Sequence, residues 1–323
     1  MHPDDLAALE VLAAARGGYF GRADLRAIGI DPEVLVPLRK ASTIRRVRHG
    51  AYAFAKTYDS LTPDEQYAVL CLAVADKVGP NAVLCGASSA AVQRLPLVGI
   101  DRRWVDVVRL DQLPGRRRAG VDHRVFTVDE ADLVVVDGRI VTSQARAIWE
   151  AGVKLPPRSS LVLMDHALHR GDVTRAELEA TGEAFASWKG SQGPRLALTL
   201  ADGRAESPGE SLTRWMFYAF RLPMPDLQHD VFDDHGMLVG RSDFAWLEHG
   251  MLGEFDGKIK YGRGFVPGKS PEDVVADERK RELKMCGTRR GMLRFLWGEV
   301  WAPTRATIAR TRDDLEWGRR RFL

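Results

Sequence analysis

Between Ser242 and Tyr261 the chain reads SDFAWLEHGMLGEFDGKIKY, and this stretch holds the residues best placed to do chemistry. Two runs rich in aromatic and aliphatic residues, Asp243 to Leu247 and Met251 to Phe255, flank the break Glu248-His249-Gly250, which is a hairpin signal. A pleated strand sends alternate side chains to opposite faces. Glu254, Asp256, Lys258 and Lys260 therefore share one face, and Phe255 points to the other. Asp243 lies on the partner strand, within cross-strand reach. Carboxylates beside lysines in this arrangement suit a hard-cation phosphodiester hydrolase. Their oxygens hold Mg²⁺ or Mn²⁺, the metal polarises the phosphate and acidifies a bound water, and a lysine supports the developing charge. The same charges also describe a solvated, self-neutralising strand face.

The elements that must position these residues are legible on both sides. Upstream, in AESPGES, Ser207 is an N-cap, Pro208 fits the first helical position, and Glu210 falls three residues after the cap, completing a capping box. Leu212, Trp215, Met216 and Ala219 continue at helical spacing. Glu210 thus has a structural role, and from a helix start it also reaches a metal held by the hairpin. Downstream, the charged segment Pro271–Cys286 reads as a helix stopped by Gly287. Met292 to Trp297 reads as a strand and Pro303 to Leu315 as a last helix. Helix, strand, hairpin, helix, strand, helix is the order of an α/β layered domain.

The N-terminus carries a second unit. Asp5 to Ala15 is apolar on one face, Arg22 to Ile28 is a short segment opened by Phe20, and Pro32 starts a helix over Glu33 to Ala41. TIRRVRHGAYAF, from Thr43 to Phe54, is a tight basic hairpin. Three short helices and a hairpin make the plan of a winged helix-turn-helix. Arg39, Lys40, Arg45, Arg46, Arg48 and His49 fall at the end of the third helix or in the wing, where DNA phosphates are met. In between, Thr62 to Val78 and Ala87 to Leu95 read as helices, Trp104 to Leu110 and Val121 to Val128 as strands, and Leu133 to Val141 as a hairpin around Gly138. Helices follow at Ser143 to Ala151, Ser159 to Arg170 and Thr174 to Thr181. Gly115 to Gly120, with Arg116–Arg118, reads as a short basic loop, either solvated or in touch with nucleic acid.

Composition fits a soluble protein of two or three domains: 323 residues, 45% hydrophobic, formal net charge +3. Positive charge concentrates at 39–49, at 116–118 and at Arg319-Arg320-Arg321. Cys71, Cys85 and Cys286 have no metal-ligand spacing and read as buried thiols in a reducing compartment. The acidic start His2-Pro3-Asp4-Asp5 begins no secretory signal, and no apolar run is long enough for a bilayer. The expectation is a cytoplasmic protein with no membrane partner.

Two resemblances follow from these residues. The run from Glu206 to about Trp301 resembles the PD-(D/E)XK nuclease superfamily, in the branch related to very-short-patch repair (Vsr) endonucleases. ESPGES, LPMPDLQ, SDFAW, GEFDGKIKY and ERKREL followed by RFLW carry it. It implies that Glu210, Asp243 and Glu254 are metal-binding acids. The superfamily places a lysine two residues after the second acid, where this chain has Asp256. The resemblance then implies that Lys258 or Lys260 has taken over, or that catalysis has been lost. The N-terminal features GGYFGRADL, the Gly29 turn and IRRVRHGAYAF resemble the winged-helix domain of AbiEi abortive-infection antitoxins, and the layout of the middle region is similar to theirs. That implies a regulator that represses its own promoter and opposes a nucleotidyltransferase toxin encoded nearby.

The expected architecture is α/β overall (α+β in the middle). Residues 1–56 form a winged helix-turn-helix, 57–200 an AbiEi-like α+β region, and 201–323 a restriction-endonuclease-like α/β domain. The expected function is a DNA-binding regulator carrying a nuclease-like domain. An active Mg²⁺-dependent DNA endonuclease and an inert binding module are the alternatives.

Overall fold

The computed structural model describes residues 2–111, 113–233, 235–257, 271–287 and 289–323. It is a mixed α/β protein, about 49% helix and 21% strand in several sheets. It divides into two compact units, Met1–Leu163 with Gly171–Thr199, and Met164–Arg170 with Leu200–Leu323.

The first unit begins with helices Pro3–Ala15, Arg22–Ala27 and Leu35–Lys40 against a three-stranded sheet in the order Phe20–Gly21, Ala51–Phe54, Ile44–Arg48. Leu9, Phe20, Leu25, Leu35, Ile44, Tyr52 and Phe54 share one core, each large side chain contributing about 2 kcal/mol by leaving water. The helix expected over Glu33 to Ala41 is split into a 3₁₀ turn, Pro32–Val34, and the helix from Leu35. Pro37 explains the split. It has no N–H to give a carbonyl four residues back, and a restart at Leu35 leaves it in a first turn, where none is needed.

A six-stranded sheet follows, in the order Arg116–Arg118, Val121–Arg124, Val105–Arg109, Ala82–Leu84, Arg139–Thr142, Leu133–Val136. The expected basic loop is therefore an edge strand. Arg116, Arg117 and Arg118 pair with His123, Asp122 and Val121. Ala119 and Gly120 turn the corner, both at positive φ, 51° and 78°, the twist that suits a two-residue hairpin. Asp76, on the helix Pro63–Val78, accepts from Arg139 Nε at 2.7 Å and also from Arg16 and Tyr19. This network ties the first helices to the six-stranded sheet within one unit. Cys71 and Cys85 are buried and Cys286 is half-buried, all as thiols.

The second unit is built on a four-stranded sheet in the order Asp226–Phe232, Leu238–Trp246, Met251–Asp256, Gly291–Leu296. The first three strands are antiparallel, and the fourth joins parallel to the third. Helix Pro271–Cys286 lies on the connection that a parallel pair requires. Helix Pro208–Ala219 packs on the sheet through Phe217, whose ring lies 4.9 Å from Trp246 and 5.6 Å from Phe295. The last helix, Arg305–Phe322, runs beyond the expected Leu315. No described helix is long and apolar enough to cross a membrane.

Candidate functional site

Glu210 is set by the start of its helix. The Ser207 hydroxyl caps it by accepting from the Glu210 N–H at 3.2 Å, and Pro208 occupies the first turn. The neighbouring Gly209 has no side chain because the Phe255 ring fills that space: a Cβ there would stand 1.9 Å from Cε1. This close approach holds the helix start against the strand Met251–Asp256. The expected capping box is not formed. The Glu210 carboxylate accepts instead from the Ser207 hydroxyl at 2.7 Å, the Glu206 N–H at 3.0 Å and the Gln228 amide at 2.9 Å. It is buried, 5% exposed, so these partners stand in for water.

The sheet lines up the remaining residues in a row. Leu227 pairs with Phe244 and His229 with Ser242, so Gln228 is level with Asp243. Phe244 pairs with Gly253, which brings Asp243 level with Glu254, and Glu254 pairs directly with Arg294. The Ser242 hydroxyl pins this register, accepting from the Gly253 N–H at 3.2 Å and donating to the Gly253 carbonyl at 2.8 Å. Asp243 then accepts from the Phe255 N–H at 2.8 Å. Burial, followed by the nearby charges of Glu210 and Glu254, holds the Asp243 carboxyl up at about 6. Asp243 thus lies near enough to Glu210 and to Glu254 to feel the charge of both.

Two arginines answer that charge. Arg281, on helix Pro271–Cys286, donates to Glu254 Oε1 at 2.5 Å, and Arg294 lies 3.3 Å from Oε2. Arg294 also grips both oxygens of Asp256, at 2.8 and 2.9 Å, and Glu282 at 2.9 Å. Asp256, in the position where the resembled superfamily has lysine, is therefore the acceptor of a cation. Lys258 and Lys260 lie outside the described residues. Among the described residues no three His, Cys, Asp or Glu side chains are grouped to hold a metal ion. Glu254 and Asp256 bind guanidinium and Glu210 accepts three hydrogen bonds, so a metal here would have to displace these partners.

Sequence reasoning missed Gln228, Arg281 and Arg294 as members of this site. Gln228 carries one structural flag: a non-glycine strand residue with φ +52°, a conformation kept only where its surroundings impose it. Arg294 had no flag, because its place depends on a parallel pairing between strands 35 residues or more apart in the chain.

The expected wing residues lie on the first unit. Arg39 and Lys40 end the helix Leu35–Lys40 and are exposed. Arg46 is exposed and lies 3.0 Å from His49 Nδ1, beside the hairpin corner at Gly50. Arg45 is held by Asp59, Nη2 to Oδ2 at 2.7 Å. Arg48 is half-buried and lines a cleft together with residues of the six-stranded sheet.

These features define a two-unit mixed α/β protein with a basic helix end and hairpin on its first unit and an arginine-clamped acidic row on the four-stranded sheet of its second. The chain belongs to the same family as two proteins of Mycobacterium tuberculosis, Uncharacterized protein MT2308 (strain CDC 1551 / Oshkosh) and Uncharacterized protein Rv2248 (strain ATCC 25618 / H37Rv). Each is 33% identical over 208 residues, covering 63% of this chain and 70% of the relative. No family model matches the chain. The crystal structure of the RV2827C protein from Mycobacterium tuberculosis aligns over 72% of this chain and 90% of its own, with a TM-score of 0.37 and 14% identity. That likeness is too slight to build on.

Proposed function

We propose that this chain is a DNA-binding protein of the AbiEi antitoxin and regulator type, with a winged helix-turn-helix at its start and a PD-(D/E)XK-like domain at its end that does not cut DNA. The observation that carries the reading is the basic edge of the first unit. Arg39, Lys40 and Arg46 project from a helix end and a hairpin whose cores are packed, so the cations are exposed while their backbone is fixed. Such cations release counterions from DNA, and affinity then falls steeply with salt. The arginine clamp on Glu254 and Asp256 supports the non-cutting half of the proposal. A nucleotidyltransferase toxin encoded nearby is the partner this reading expects.

Fluorescence anisotropy of the full chain on duplex DNA from its own promoter tests it. The plot of log K against log salt should fall for the wild type, and the slope should shrink by about two in Lys40→Ala combined with Arg46→Ala. Equal affinity of variant and wild type at every salt concentration would remove the winged-helix assignment.

A second reading, an active Mg²⁺-dependent endonuclease acting through Asp243 and Glu254, is favoured by one observation. Asp243 lies close enough to Glu210 and Glu254 to feel the charge of both, an arrangement a cation would relieve. Metal would have to displace Arg281 or Arg294 from Glu254.

A further inference from the structure

Arg48 leaves the wing and enters a cleft of about 340 Å³ on the first unit. Arg48, Lys77, Arg109, Arg116, Arg118 and His123 line that cleft, and among the described residues no carboxylate does. Five elements bring these six side chains together, so they are not one solvated charge run. The hairpin strand Ile44–Arg48 supplies Arg48, and the end of helix Pro63–Val78 supplies Lys77. Strands Val105–Arg109, Arg116–Arg118 and Val121–Arg124 supply the other four.

The alternation of the edge strand divides its three arginines. Arg116 and Arg118 pair with His123 and Val121 and face the cleft with them. Arg117 points to the other face, where it reaches Asp122 Oδ2 at 3.1 Å and covers the Trp104 ring at 5.3 Å. Arg109 is partnered by Asp111, Nε to Oδ1 at 2.7 Å. Two of its lining residues also carry a buried polar atom with no hydrogen-bond partner among the described residues, Arg48 Nη1 and His123 Nδ1. Buried polar atoms without partners are uncommon in native proteins. Arg48, Lys77, Arg116 and Arg118 bring like charge to one space, and an anion there would relieve their mutual repulsion.

We infer that this cleft is a phosphate site that takes the DNA backbone as it leaves the wing, with Arg48 shared between the two surfaces. The inference rests on the DNA-binding reading and extends its footprint to the six-stranded sheet. A space of this size holds a phosphodiester group with its sugar, and guanidinium forks match phosphate oxygens.

Two measurements on the full chain separate the site from its occupant. In the first, inorganic pyrophosphate should raise the melting temperature of the wild type and of Arg117→Ala, and should leave Arg116→Ala/Arg118→Ala unmoved. All three arginines sit on an exposed edge strand, so the variants keep the fold. In the second, Arg116→Ala and Arg118→Ala should each lower the slope of log K against log salt for duplex DNA by about one. Arg117→Ala, an equal loss of charge on the opposite face, should not. No pyrophosphate response in the wild type overturns the site. A pyrophosphate response with equal DNA slopes in all variants overturns DNA as the occupant while leaving the wing assignment standing. Failure of the wild type to bind any DNA sinks the proposed function itself. A surviving pyrophosphate response would then overturn the DNA assignment in favour of a free phosphate ligand.

Discussion

Replacing Asp243 by asparagine should make the second unit more stable at neutral and alkaline pH. The folded state holds this carboxyl at about 6 against an ordinary value of 3.8, chiefly through burial and then through Glu210 and Glu254. A raised carboxyl favours folding of the protonated form. Its contribution is present below the unfolded value of 3.8 and is lost as pH rises through about 6. Above that, the folded protein carries a charge it disfavours. An interval of just over two pH units at about 1.36 kcal/mol each bounds the cost near 3 kcal/mol. Water reaching a partly exposed carboxylate reduces this to roughly 1–2 kcal/mol. Asparagine keeps an oxygen for the Phe255 N–H and turns an amide donor toward the two glutamates. Urea unfolding of the full-length protein at pH 5 and pH 8 reads the effect. The gain at pH 8 should be about twice that at pH 5. An asparagine variant no more stable than wild type at pH 8 would show that the folded state does not disfavour a charge at Asp243 as described.

Other substitutions probe the supports of the site. Gly209→Ala drives a Cβ into the Phe255 ring, so it should lower stability by about 2 kcal/mol or more in a thermal melt. Arg214→Leu strips the fully buried Asp165 of a 2.8 Å ion pair and should cost about 3 kcal/mol by the same measurement. Combining Arg281→Ala with Arg294→Met uncovers Glu254 and Asp256. That variant should gain a melting response to Mn²⁺ that the wild type lacks, near 2.7 kcal/mol at about a hundredfold excess over Kd. Asp256→Lys alone should not create activity, because the new ammonium would face Arg294.

The hairpin around Glu248-His249-Gly250 was legible because alternation and a glycine break are local signals. Its observed strands, Leu238–Trp246 and Met251–Asp256, put Asp243 beside Glu254 as the period of two requires. Arg294 was not legible, since nothing within Met292 to Leu296 says which strand it joins. The role of Gln228 was hidden for a similar reason: its amide meets Glu210 across 18 residues. Arg116–Arg118 looked like a loop because charge outweighed pattern, and Ala119-Gly120 is a weaker turn signal than Asn-Gly. The strand Ala82–Leu84 and the helix Gln192–Leu200 were missed as well. The strand is only three residues long, and the helix begins at Gln192-Gly193-Pro194, which reads as a break.

The proposed function has this protein bind DNA while arginine takes the place of metal on its acidic row. One gel experiment tests it most directly: the full chain is titrated with Mg²⁺ and with Mn²⁺ against supercoiled plasmid and single-stranded DNA, with bound and cut species resolved together. The account predicts DNA that is retarded and uncut at every metal concentration. Metal-dependent nicking that disappears in Asp243→Asn would contradict it and establish the second reading in its place.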